Sequence, residues 1–468
     1  MSVSMKKNKI FILLPDGVGL RNFAYGNFHG LSRSYGFDIV YWNNTPFDLS
    51  ALNFRDIKIE NCQLHPLTDI YKNSRKHIEL NQFENRFNDN IYNGYRFPFN
   101  TKTFKSKIKT FASKCLIKLN DSEKGIVIVS NKMKALEEST KYFEDCLSVL
   151  KREKPDMVFC TNQRPVTAIA PIQAAKRLNI PTATFIFSWD NLPKATMVVE
   201  TDYYFVWSDL MRQELRKYYP FIKDSQIFVT GTPQFENHYN PDLLKTREEF
   251  FKENNLDLNK KYICYSGDDV TTSPNDSRYL EDVAFAVREL NEEGENIGIL
   301  FRRCPVDFSN RFDDVLERFK DVVVPVNPKW EKIGVNWDAV LPTPDDLILQ
   351  TNTIAYTEFV INLGSSMVFD YVARKKHCVY VNYDVENPID KDWKVVQPYK
   401  YVHFRSMPSD KSVIWFNNVG EIKIKIKNLL AQKDVSLKDA ENWFETINQH
   451  PPFEASKRIW ESIKKIVE

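Results

Sequence analysis

A glycine followed by two serines, set between an apolar run and a helical pattern, is a chemical arrangement suited to holding phosphate. Here the run Phe359 to Leu363 halts at Gly364, Ser365 and Ser366 follow, and Met367, Val368, Tyr371 and Val372 then fall at helical spacing. A second apolar run, Cys378 to Val381, closes the unit, so the stretch reads strand, turn, helix, strand. Glycine lets the backbone approach a ligand closely, and the serines sit where a new helix presents N–H groups and the positive end of its dipole. That site favours a nucleotide diphosphate. The same serines would equally cap the helix of any α/β domain.

Other polar loops follow apolar runs in the same way. Asp16 lies in Pro15-Asp-Gly-Val-Gly19 after Ile10 to Leu14, and Asn162, Gln163 and Arg164 follow Met157 to Cys160. Asp190 follows Thr182 to Phe187, Thr232 follows Gln226 to Thr230, Gly267-Asp268-Asp269 follows Tyr262 to Ser266, and Arg302 ends Ile297 to Phe301. Adjacent carboxylates at 268 and 269 could bind Mg²⁺ or simply line a surface loop. Gly17 and Gly19 lack the third glycine of a dinucleotide fingerprint, which argues against a nicotinamide or flavin.

The elements that must position these residues alternate between strand and helix patterns, the grammar of a doubly wound parallel sheet whose loops at the carboxyl ends of strands bind ligands. The chain shows this grammar twice. An N-terminal Rossmann-like domain is expected over 1–235, with an irregular basic and aromatic insert at 44–125, then a linker at 236–260. A C-terminal Rossmann-like domain is expected over 261–445 and a crossover helix over 446–468. Helices are expected at about 20–35 and at 131–153. With 468 residues the chain is long enough for two cores.

Apolar content of 43% with 27% charged residues describes a globular protein, and a net charge of +2 argues against a dedicated nucleic-acid binder. Seven scattered cysteines, none in a CxxC pair, read as reduced core residues of a cytosolic protein, with no zinc site. Only about five apolar residues precede Pro15, too few for a signal segment or a membrane span. Between Asn90 and Asn120 no acidic residue occurs, while lysines from Lys102 to Lys118 alternate with Phe97, Phe99, Phe104 and Phe111. That composition over 94–118 suits peripheral contact with an anionic membrane, and equally a solvated amphipathic helix packed by its aromatic side.

Four motifs in order, Trp189-Asp190-Asn191, Val206-Trp207-Ser208, Val229-Thr-Gly-Thr-Pro-Gln-Phe235 and the Gly-Ser-Ser turn with Phe369-Asp370, give residues 155 to 382 a resemblance to a known group. The sequence resembles GT-B-type glycosyltransferases of bacterial surface and capsular polysaccharide, related to the CDP-glycerol glycerophosphotransferases. The resemblance implies an α/β protein of two Rossmann-like domains facing across a cleft, the C-terminal helix packing back on the N-terminal domain. It implies donor contacts at Thr232, Gly267, Arg302, Gly364, Ser365 and Ser366, with Asp370 accepting from a ribose hydroxyl and Arg302 stabilising the leaving phosphate. Relatives carry Arg-Pro-His-Pro where this chain has Arg302-Arg303-Cys304-Pro305, so any role of that histidine is missing here.

An inverting transfer needs a base, for which Asp16 comes first and Asp190 second. Without one, Asn162, Gln163 and Arg164 become acceptor or phosphate contacts. The expected reaction moves a sugar from a nucleotide-sugar donor to a surface polysaccharide or lipid-linked glycan in the cytoplasm, at the inner face of the membrane, with no metal and no cofactor beyond the nucleotide-sugar substrate. Alternatives are transfer of a polyol phosphate from a CDP-linked donor, epimerisation of a nucleotide sugar, and a non-catalytic scaffold role in glycan assembly.

Overall fold

Apolar runs flanked by polar loops become strands buried on both faces, the usual condition of a parallel sheet covered by helices. The computed structural model describes residues 8–332, 340–432 and 436–468 and divides into two compact units, 8–233 with 454–468, and 234–453. In the first unit the strands are β1 (Asn8–Leu14), β2 (Phe37–Asn43), β3 (Asp56–Lys58), β4 (Met157–Cys160), β5 (Thr182–Phe185), β6 (Tyr203–Val206) and β7 (Ile227–Val229). Their order across the sheet is β3-β2-β1-β4-β5-β6-β7, and every pairing is parallel. Register is set by side chains that must stay inside: Ile10 pairs with Ile39 on one side and Met157 on the other, and all three are buried.

The second unit repeats the plan with β8 (Lys261–Ser266), β9 (Ile297–Arg302), β10 (Val323–Pro325), a hairpin of β11 (Trp330–Lys332) and β12 (Val340–Pro342), then β13 (Val360–Asn362), β14 (Cys378–Val381) and β15 (Ile414–Phe416). Its main sheet runs β10-β9-β8-β13-β14-β15, again all parallel. In both sheets the order in which strands are added therefore reverses once, between β1 and β4 and between β8 and β13. These are topological switch points, where the loops diverge and leave a crevice for a ligand. Asp16 and Asn162 flank the first, Asp268 and Gly364 the second.

The last helix, Ala455–Val467, packs back on the first unit as expected. Trp460 is fully buried, stacks on Phe28 at 4.4 Å and donates from its indole nitrogen to the Phe28 carbonyl at 2.9 Å, while Arg458 donates to the Thr230 carbonyl at 2.7 Å.

Local chemistry overrides three sequence expectations. The helix expected at 20–35 breaks into Leu20–Phe23 and Phe28–Leu31 joined to single 3-10 turns. The helix expected at 131–153 is two, Glu123–Glu138 and Lys141–Glu153, because Thr140 leaves helical dihedrals to cap the second through the Phe143 N–H. Residues 236–260 are not a free connection but part of the second unit. Phe250 and Phe251 of the helix Arg247–Glu253 are buried in a cluster with Tyr262, Leu300 and Leu349, and the Asn352 side chain bonds the Lys245 N–H and the Leu243 carbonyl. The irregular insert holds two further helices, Thr68–Phe87 and Phe104–Asn120.

Candidate functional site

At the second switch point the chain leaves β13 through Gly364, whose φ of +69° lies in the left-handed region that favours glycine. A Cβ there would stand 3.2 Å from the Phe404 ring and 3.4 Å from Tyr399, so both backbone angle and close approach select glycine. The turn is held from within. Asn362 Oδ1 accepts the Ser365 N–H at 3.1 Å and Tyr380 donates its hydroxyl to the Ser365 carbonyl at 2.9 Å. Ser365 Oγ accepts from the Met367 N–H at 3.4 Å, opening the short helix Met367–Val372. Gly364 and Ser365 are half-buried and Ser366 is exposed, so the turn faces outward on a rigid floor.

The loop after β8 adjoins it. The Leu363 N–H, one residue before Gly364, acts on the Asp268 carboxyl, while burial and the carboxylates of Asp276 and Asp269 push that carboxyl well above its usual range. Asp268 Oδ2 is enclosed and meets no donor among the described residues. Asp276, fully buried on the helix Asp276–Glu292, accepts from the Tyr265 hydroxyl at 2.8 Å and from the Asp268 N–H at 2.8 Å. Arg311 spans the group, donating to the Asp268 carbonyl at 2.6 Å and to Asp307 at 2.8 Å. Asp269 is committed elsewhere, to the hydroxyl of Thr272 at 2.6 Å and to the Thr271 turn at 2.8 Å. Sequence reading missed Asp276 because its partners, Tyr265 on β8 and Asp268 and Arg311 in loops, are brought to it only by the fold. Its only signal was an acid opening a helix after an acidic loop.

Burial, chiefly, raises Asp276 to about 6. The folded protein then holds this proton more tightly than the unfolded chain, whose aspartates titrate near 4. The group's stabilisation is complete below about pH 4 and is lost as pH rises through 6. Asp276→Asn is therefore expected to flatten the stability curve between pH 4 and 7, by up to about 3 kcal/mol. Urea unfolding of the two proteins across that range measures it, and parallel curves would refute the assignment.

Three expected donor contacts are occupied differently. Arg302 is buried and pairs through Nη2 with both oxygens of Asp346, at 3.0 and 2.8 Å, so its charge is already compensated. Asp346 also accepts from the Lys329 N–H at 2.9 Å and the Trp330 indole at 2.6 Å. What Arg302 retains is Nη1, buried and without a partner among the described residues. Asp370, expected to meet a ribose, is only 1% exposed and lies 2.7 Å from His238 Nε2, a pair joining positions far apart in sequence. Gly267 is buried with Asp276 and Phe301 each 3.2 Å from where a Cβ would be, and so serves close packing.

In the first unit the switch point brings Asp16 and Asn162 together. Asp16 is half-buried, accepts from the Asn162 amide at 2.9 Å and caps the turn at Val18 at 3.3 Å. Asn162 Oδ1 in turn accepts the Arg164 N–H at 3.1 Å, leaving Arg164 half-buried at the loop's edge. Gln163 is fully buried and spent on structure: its amide donates to Asn191 at 3.0 Å, and its oxygen accepts the Phe187 N–H at 3.0 Å. It is unsuited to an acceptor contact. Asp190 is ion-paired with Lys194 and accepts from the Asn191 amide at 2.9 Å, so both of its oxygens are already engaged. Thr232 is fully buried just after Gly231.

No family model matches the sequence, and no curated protein matches it. Solved structures do. A UDP co-structure of MnaA from S. aureus aligns with 98% of this chain and 97% of that one at TM-score 0.53 and 13% identity. The two-domain fold is shared. A UDP-GlcNAc 2-epimerase from Methanocaldococcus jannaschii aligns with 98% of this chain and 99% of that one, at TM-score 0.52 and 13% identity. A glycosyltransferase from Rickettsia africae aligns with 99% of both chains, at TM-score 0.52 and 12% identity. Two Rossmann-like α/β domains of the GT-B kind thus account for nearly the whole length, and the CDP-glycerol relationship in particular receives no support from them.

Proposed function

We propose that the protein is a nucleotide-sugar enzyme, a glycosyltransferase acting on a glycan or lipid-linked acceptor. The observation that carries this reading is the outward Gly364–Ser366 turn at the switch point of the second sheet, braced by Asn362 and Tyr380 and adjoining Asp268. A diphosphate takes the Ser365 and Ser366 hydroxyls, and Arg302 meets the leaving phosphate through Nη1, whose two N–H groups have no partner among the described residues. Asp16, oriented by Asn162, is the base candidate on the first unit, and Arg164 is an anion contact beside it. Donors made in advance by rigid strands need no reorganisation as charge develops on the leaving phosphate.

Purified protein should be stabilised by one nucleotide sugar of a panel, by about 2.7 kcal/mol at one hundred times its Kd. Thermal unfolding reads this directly, and a panel without effect, nucleoside diphosphates included, would end the proposal. Epimerisation is the second reading, favoured by the fold neighbour above that is described as a UDP-GlcNAc 2-epimerase. Proton NMR of the bound donor without acceptor separates the two: a new sugar stereoisomer means epimerase, an unchanged donor means transferase.

A further inference from the structure

A helix on a globular protein normally turns its apolar stripe inward. The helix Phe104–Asn120 does the opposite. Phe104 and Leu119 are each 80% exposed, Phe111 is 71% exposed and Ile108 54%, and their spacing places all four on one stripe. The inward side instead buries Thr110 and Ser113, whose carbonyl accepts from Ser74 of the helix Thr68–Phe87 at 3.3 Å. Lys107, Lys114 and Lys118 flank one edge of the stripe and Lys105 the other, and the helix carries no acid. Phe97, in the preceding loop, is 77% exposed.

Behind the stripe, between this helix, the helix Thr68–Phe87 and the loop joining them, lies a cavity of about 550 Å³ lined by Lys72, Lys76, Lys105, Lys109, Phe97 and Phe99. Lys76 stands 4.6 Å over the Phe97 ring. Burial, chiefly, with the nearby charges of Lys194, Arg164 and Lys72, lowers its ammonium to about 8. The one acid in the lining, Asp69, is 3.5 Å from Lys109. Among the described residues no helix is long and apolar enough to cross a membrane.

We propose that this helix lies in the plane of an anionic membrane, its phenylalanines and Leu119 in the boundary between headgroups and acyl chains, and that the lysine-lined cavity takes a lipid headgroup phosphate. Apolar surface supplies depth, and flanking lysines supply preference for negative lipid. This inference is independent of the nucleotide reading above. Both hold or fail separately, because one is read on vesicles and the other on soluble ligands.

The test is co-sedimentation of the full chain with vesicles of phosphatidylglycerol or of phosphatidylcholine. Partition onto phosphatidylglycerol should be at least about tenfold stronger. The double variant Phe104→Ser with Phe111→Ser should lose about tenfold or more on phosphatidylglycerol, with thermal unfolding unchanged because both rings are exposed. Lys76→Gln should reduce the preference for phosphatidylglycerol several-fold. Equal partition onto both lipids, or an unaltered double variant, would overturn the proposal. So would self-association in sedimentation velocity that the double variant abolishes, since the stripe would then be covered by a second copy.

Discussion

Asp346→Ala is expected to lower the stability of the second unit by about 3–5 kcal/mol, because it strands a buried guanidinium without its counter-charge. Arg302 is 5% exposed, and its Nη2 donates to both carboxylate oxygens of Asp346. The loss includes the Lys329 N–H and Trp330 indole, which Asp346 also accepts. Replacing both partners by apolar residues of similar volume, Arg302→Met with Asp346→Leu, should recover most of that loss. Denaturant unfolding of the two singles and the double measures the coupling. An additive double, or a mild Asp346→Ala, would show that the pair is not what holds Arg302. The same series separates positioning from catalysis: if Nη1 meets the leaving phosphate, the double variant folds but loses turnover.

Gly364→Val should leave the protein folded and reduce kcat/KM for the nucleotide-sugar reaction by about a hundredfold, since displacing a binding turn by about 1 Å has that order of effect. The branched side chain is strained at a φ of +69° and meets Phe404 and Tyr399. The stability loss from that strain is about 1–3 kcal/mol. Ligand-induced thermal stabilisation should vanish in parallel. A variant with ordinary stability and undiminished ligand response would remove the turn from the site.

Several positions show how far local pattern reaches. Strands β4 and β14 are legible residue by residue, because a strand buried on both faces is an uninterrupted apolar run. The short edge strands β3 and β15 are not: Asp56–Lys58 carries no such run, and its three residues are only half-buried. Thr140 divides a helix that periodicity alone continues, since a threonine is tolerated within a helix and favoured at its start.

What the sequence by itself determined is the alternation of strand and helix, the doubling of that plan, and the loops at which polar residues gather. These depend on contacts between neighbours in the chain and on burial, which residue type reports. Only the tertiary structure decided which charges are already neutralised. Arg302 meets Asp346 44 positions on, and His238 meets Asp370 132 positions on. It also decided which way the helix Phe104–Asn120 faces, because an apolar stripe is the same in sequence whether a core or open solvent lies against it.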